Sequence, residues 1–178
     1  SEVEELERRI RELLRRVKRI DEEIVRRIRE LNKELNRRDE RIVETVRELV
    51  ERVARDNKRE LLDEVLKDVR RLAEESKRIV DEVLKDTERL ARESKEILER
   101  VLKEVKELIE ELLRRRKDLE EVKKRLEDVL RRVREEIERL KKHTDDVLRE
   151  SEKNAEDVKK HTDDVVREIE ERIRELKK

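Results

Sequence analysis

VLKDVRRLAEESKRIVDE (65–82) runs directly into VLKDTERLARESKEILER (83–100), and VLKEVKELIE (101–110) begins the same unit a third time. The spacing is eighteen residues, which is five turns of an α-helix at about 3.6 residues per turn. A side-chain pattern repeated at that interval returns to the same side of a straight helix, whereas a heptad would impose a left-handed supercoil. The same interval occurs on both sides of this stretch. Ile24-Val25 recurs as Ile42-Val43, VLRR at Val129 recurs as VLRE at Val147 and VVRE at Val165, and KKHTDD appears at 141–146 and again at 159–164. The apolar residues between these marks step by threes and fours, as in Leu6, Ile10, Leu13, Val17, Ile20, Ile24, Ile28, Leu31 and Leu35. That is the stripe of an amphipathic helix and not the alternation of a strand.

The composition agrees with helix and excludes much else. The chain has 178 residues, 53 basic and 53 acidic, with a charged fraction of 60% and no Gly, Pro, Cys, Met or aromatic residue. Interspersed signs and a continuous apolar stripe oppose the disorder that such a charge content otherwise suggests. Glu, Lys, Arg and Leu are strong helix formers, and nothing present breaks a helix interior. Without Cys there is no disulfide framework, zinc-thiolate site or thiol nucleophile. Without aromatics there is no base-stacking platform, and without Gly no phosphate-cradling loop of the usual kinds. Zero net charge argues against nucleic acid or a membrane surface as partner through bulk charge. No apolar run approaches a membrane span, and no signal peptide is expected; the chain reads as soluble and compatible with cytoplasmic expression.

The repeat jumps register twice. From Ile42 the next copy is due at 60 but begins at Val65, and from Val101 it is due at 119 but begins at Val129. Capping boxes, in which Ser, Asp or Asn precedes Glu by three residues, occur at Ser1/Glu4, Asn57/Glu60 and Asp118/Glu121. A fourth match, Thr45/Glu48, lies inside a continuous stripe and is read as accidental. Cations crowd before the breaks (Arg52 and Arg55; Arg114, Arg115, Arg116 and Lys117) and at the end (Lys177 and Lys178), as the negative end of a helix dipole favours. Helices are therefore expected near 2–55, 58–114 and 119–177, each roughly 80–90 Å long at ~1.5 Å per residue. Their short links force antiparallel neighbours. The expectation is all-α: a long, nearly straight up-down-up three-helix bundle in a single domain over 1–178. With no Gly to close a helix end, Asp56, Asn57 or a neighbouring Lys or Arg must take a left-handed conformation.

Polar residues inside the apolar arc carry the most information. They are Asp21, Asn32 and Asp39 in the first helix, Ser76, Thr87 and Ser94 in the second, and Thr144, Ser151 and Thr162 in the third, with His143, Asn154 and His161 at the arc's edge. Facing residues of an antiparallel pair have a constant total of residue numbers. Asp21 with Ser94 and Asp39 with Ser76 both total 115, where a turn near residue 57 requires about 114 within the uncertainty of helix ends. Ser94 with His143 and Ser76 with His161 both total 237, where a turn near 117 requires about 234. Two equivalent layers follow, Asp21/Ser94/His143/Thr144 and Asp39/Ser76/His161/Thr162, with Asn32, Thr87, Ser151 and Asn154 forming a third, central layer. A buried carboxylate costs several kcal/mol unless donors surround it, and imidazole N–H and hydroxyl groups are such donors. Layers of this kind penalise slipped registers, which would leave the same groups buried and unpaired.

Restricted alphabet, near-copied units, caps and paired polar layers together resemble a computationally designed, parametric helical bundle with buried hydrogen-bond networks. The marks that carry the resemblance are the two KKHTDD segments and the Ser76/Ser94 and Asp21/Asp39 pairs. The resemblance implies a structural scaffold without natural biochemical function, or a subunit of a designed oligomer or binding assembly. Gly-free, Pro-free loops depart from common practice in that class.

Sharper chemistry is weaker on the page. Ser, His and Asp in one layer have the composition of a hydrolase triad, but an oxyanion hole and a substrate cleft are also needed, and no irregular loop is available to build them. His143 and His161 stand about 27 Å apart along one helix, too far to share an ion. Asp157 and His161 are four apart, but two ligands make a weak metal site. No enzyme activity, cofactor, metal or small-molecule ligand is expected. Val25, Val43, Leu66, Leu84, Leu102, Leu130, Leu148 and Val166 lie at one edge of the arcs, where a monomer packs them on a flanking helix and an oligomer packs them on another subunit; the sequence permits both.

Overall fold

The computed structural model describes residues 1–116 and 120–178. Among these residues the chain is all-α: α1 (Glu2–Arg55), α2 (Leu62–Arg115) and α3 (Glu120–Lys177), with one short 3-10 turn, Arg59–Leu61, leading into α2. Acidic residues occupy each first turn and basic residues each last turn, the arrangement the helix dipole favours. At the start of α1 the Glu4 backbone N–H donates to Ser1 Oγ at 3.3 Å, which forms half of the expected capping box. Thr45 lies within α1 and donates to the Arg41 carbonyl.

The first link corrects the sequence reading. Asn57 does not cap α2. It has φ 55°, the left-handed conformation. The Asn57 N–H donates to the Ala54 carbonyl at 3.2 Å and the Lys58 N–H to the Val53 carbonyl at 3.2 Å. This pair of bonds is a Schellman motif, with Asn doing what Gly usually does because its short polar side chain tolerates left-handed backbone. Asn57 therefore ends α1, Lys58 enters the 3-10 turn without a side-chain cap, and α2 begins at Leu62 rather than at 58. The Asp118/Glu121 capping box depends on Asp118, which lies outside the described residues.

Where the sequence reading takes 1–178 as one domain, the contacts fall into two compact units: residues 1–28 with 88–148, and residues 29–87 with 149–178. In the first unit, Glu7 pairs with Arg125 and Asp21 with Thr144, so α1 and α3 are parallel. Glu2 pairs with Arg116 and Asp21 with Ser94, so α2 is antiparallel to α1. Ile10, Val17, Leu98, Ile109, Leu126 and Ile137 are among its core residues, and Leu102 and Leu130 pack against them. In the second unit, Arg29–Glu150 and Arg47–Glu168 set α1 parallel to α3, while Asp63–Lys177 and Asp81–Lys159 set α2 antiparallel to α3. Val43, Val50, Leu62, Val69 and Ile169 lie in one cluster of its core, with Leu66 and Val166 against it, and Leu35, Val80 and Val158 in another, with Leu84 against it. Each unit is thus an up-down-up three-helix arrangement whose arc edges are filled from within the chain. Burying a Leu, Ile or Val side chain stabilises by roughly 1.5–3 kcal/mol. A buried Asp, Ser or Thr forgoes that gain, so the polar core positions need their own account.

Candidate functional site

In the first unit the polar layer closes around Asp21. Its side chain projects from α1 into the core, where the residue is only 2% exposed. Ser94 Oγ on α2 donates to Asp21 Oδ1 at 2.5 Å, and Thr144 Oγ1 on α3 donates to the same oxygen at 2.7 Å. Thr144 Oγ1 also lies 3.0 Å from the Leu140 carbonyl of its own helix. Its single proton favours the shorter, charge-assisted bond to the carboxylate. Three helices thus meet on one oxygen atom. Ser94 is 1% exposed, so this hydroxyl is shut away from solvent.

His143 is not part of that layer, a correction to the sequence reading: it is exposed on the outer side of α3. At about 100° per residue the histidine of this segment stands at the rim, and Asp21 accepts from Ser94 and Thr144 instead. Thr144 takes the inward position, and its neighbour is carried past the edge of the arc.

In the second unit the corresponding layer is assembled differently. Asp39 is buried, and His161 Nδ1 lies 3.1 Å from its Oδ2. The His161 side chain remains 49% exposed, reaching inward from the rim. Thr162 is buried but donates to the Val158 carbonyl of its own helix at 2.9 Å rather than to Asp39. Ser76 is buried, and no protein hydrogen bond to its hydroxyl is seen among the described residues. Asp39, Ser76 and Thr162 border one pocket that is partly open to solvent and otherwise lined by apolar side chains.

The central layer also lies in the second unit. Asn32 Nδ2 donates to Ser151 Oγ at 2.8 Å, and Asn154 Nδ2 donates to Asn32 Oδ1 at 3.0 Å, so α1 and α3 are joined through the two asparagines and a serine. Thr87 on α2 is fully buried but donates to the Leu84 carbonyl of its own helix at 2.8 Å. Its hydroxyl is satisfied locally and does not extend the network to α2.

A second set of contacts was not anticipated. Lys77–Asp163, Lys95–Asp145, Lys159–Asp81 and Lys141–Glu99 all join α2 to α3, and the residue numbers of every pair total 240. These are two pairs of ion pairs, each copied at the eighteen-residue interval. The signal was present in the repeated KKHTDD and ESK segments; reading the charged faces as merely solvated hid it. Between α1 and α3, Arg125 forks onto Glu7 and Arg172 onto Glu51 through two nitrogens each. The hydrogen bond from Arg172 holds the Glu51 carboxyl below the usual carboxylate range against the opposing effect of burial. The hydrogen bond to Asp163 likewise raises the Lys77 ammonium.

Chemically, the arrangement does not make a nucleophile. A hydrolytic serine needs a base that accepts its proton and a substrate within reach. Ser94 points its proton at a carboxylate inside the core, and the histidine of that repeat lies outside. His161 Nδ1 is engaged by Asp39, while Asp157 is exposed on α3. Among the described residues no group of three or more His, Asp or Glu is placed to hold a metal ion. No helix among them is long and apolar enough to cross a membrane.

No protein-family model matches the chain, and no curated protein matches it either. Its fold is similar to that of a solved structure described as a computationally designed three helix bundle, at 18% sequence identity and a TM-score of 0.45, over 99% of this chain and 84% of that one.

Proposed function

We propose that this chain is a designed structural scaffold without enzymatic activity, whose buried polar layers specify how its helices align. The observation that carries the reading is Asp21: one buried carboxylate oxygen accepts hydroxyl protons from α2 and α3 at once. Sliding either neighbouring helix by one turn, about 5.4 Å, would break such bonds and leave the charge buried without donors, at a cost of several kcal/mol. Apolar layers alone impose no comparable penalty, because one Leu replaces another. The near-copied eighteen-residue units, in the core and in the ion pairs alike, support deliberate patterning. Filled arc edges within each unit support a single-chain bundle over a shared apolar face.

The test is the double variant Asp21→Leu, Asp39→Leu. Circular dichroism should show retained helix, while light scattering shows association states beyond the 22.0 kDa chain. One unchanged association state in that variant would count against a role in specifying alignment. Ester hydrolysis compared with a Ser94→Ala, Ser76→Ala variant checks the absence of activity: equal, background rates are expected, and a loss of rate in the variant would overturn it.

A further inference from the structure

We infer that the seam between α1 and α2 of the second unit is a docking groove for one further amphipathic helix, a partner with an acidic edge and a basic edge on either side of its apolar stripe. Three observations carry this. The first is where charge fastens the unit. The interhelical ion pairs seen among its described residues run to α3. Arg29–Glu150, Arg47–Glu168 and Glu51–Arg172 hold α1, while Asp63–Lys177, Arg70–Glu170, Lys77–Asp163 and Asp81–Lys159 hold α2.

The second is the charge left beside the α1–α2 seam. Arg38 and Arg41 line it next to Leu31, Ile79 and Val83, with Glu34 among them, and Arg52 follows fourteen residues after Arg38. On α2, Glu64, Glu75 and Glu82 fall just outside the edge formed by Leu72, Ile79 and Val83, counting about 100° per residue. The three arginines and three glutamates are exposed. Among the described residues their side chains take part in no ion pair or hydrogen bond. One wall of the seam is therefore mainly basic and the other acidic. Arg38 with Glu75 totals 113 and Arg52 with Glu64 totals 116, close to the 115 of facing residues. The two charged rows stand level, yet apolar edges lie between them and keep them apart.

The third is the apolar floor. Leu49, Leu61 and Leu72 are exposed along this seam. Leu72 and Ile42 border the pocket that is partly open to solvent, and Leu31, Leu35, Ile79 and Val83 line the next one. From Leu31 to Leu49 the seam runs about 27 Å, or five helical turns. A helix with apolar residues at i, i+3, i+4 and i+7 covers such a floor, the usual mode of helix-in-groove recognition. Its acidic edge meets the α1 arginines and its basic edge the α2 glutamates, and the unit becomes a four-helix bundle. A second copy of the chain brings only the same three leucines, whereas an amphipathic helix brings a continuous stripe.

The probes are labelled helical peptides of about 18 residues, the length of the seam. They share one apolar stripe and differ only in their edges: Glu on one and Lys on the other, Lys on both, or Glu on both. Fluorescence anisotropy with the full chain should show the mixed-edge peptide binding at least about fivefold more tightly than either of the others, the sum of several weak rim pairs. Leu49→Glu combined with Leu72→Glu should abolish binding while circular dichroism shows unchanged helix. Arg38→Glu, Arg41→Glu and Arg52→Glu together should shift the preference to the peptide with Lys on both edges. Equal affinities for the three peptides, binding that survives the leucine substitutions, or no binding of the mixed-edge peptide overturns the inference. So does a chain mass that doubles without peptide, which would mean that a second copy takes the groove.

Discussion

Asp21 and Asp39 stand eighteen residues apart at equivalent places in the repeat but have different partners, and that difference sets what single substitutions do. Ser94→Ala removes one of the two hydroxyl donors on a fully buried carboxylate oxygen, a loss of about 1.5–3 kcal/mol for a hydrogen bond to a charged group. Ser76→Ala removes a hydroxyl that makes no hydrogen bond to Asp39 among the described residues and should cost less. Urea unfolding of both variants checks the order, and equal losses would contradict it. At the surface, Glu51 has its pKa lowered in the folded state by Arg172. Its pair therefore contributes fully above the ordinary Glu pKa of about 4.3 and is lost as pH falls through the lowered folded value. Glu51→Gln should slightly lower Tm near neutral pH and have no effect once the carboxyl is protonated. The effect is small because both side chains are largely exposed and water screens them. Melting curves across that pH range measure it.

Each helix is continuous because its residues favour helix throughout and its ends are marked by charge. The chain relies on one residue to leave α1. Asn57 at φ 55° occupies backbone space that costs an ordinary L-residue about 1–2 kcal/mol. Asn57→Val should destabilise by about that amount, since a β-branched side chain fits the left-handed region worst. Asn57→Gly should be no less stable than the parent. Denaturant midpoints of the two variants test this; a tolerated valine would mean the Schellman turn is not what stops the helix. The same element shows why sequence reading misplaced the start of α2. Asn followed by Glu three residues later satisfies the spacing of an N-terminal box, but the same Asn is also suited to end a helix. Once the left-handed turn forms, its side chain is no longer placed to cap the next one.

For the molecule as a whole, the apolar arcs are wide enough for either a monomer or a shared interface, and packing within each unit supports the single-chain bundle proposed above. Val43 lies within the core, and Leu66, Leu84, Leu102, Leu130 and Val166 pack against cores of their own chain. Among the described residues, the large apolar side chains that remain exposed, Ile20, Leu49, Leu61 and Leu72, are each only 37–39% accessible. Partial exposure of that kind is ordinary on a monomer surface. Light scattering at increasing concentration should therefore report a constant mass near 22.0 kDa. A mass that climbs toward a dimer would revive the shared-face alternative.

Helix type, both ends of α1, the last turns of α2 and α3, the direction of each helix and the pairing of Asp21 with Ser94 were all legible from the chain alone. They follow from periodicity and residue counting, and an eighteen-residue repeat makes both nearly free of ambiguity. What the letters could not distinguish were choices among several acceptors within reach of one side chain. His143 and His161 sit in identical KKHTDD segments, yet one faces outward and the other reaches Asp39; Thr144 and Thr162 likewise choose different acceptors. Hydroxyl and imidazole groups have several acceptors within reach, and the winner is set by how closely neighbouring helices approach. That approach depends on side-chain volume across the layer, and only packing in three dimensions fixes it.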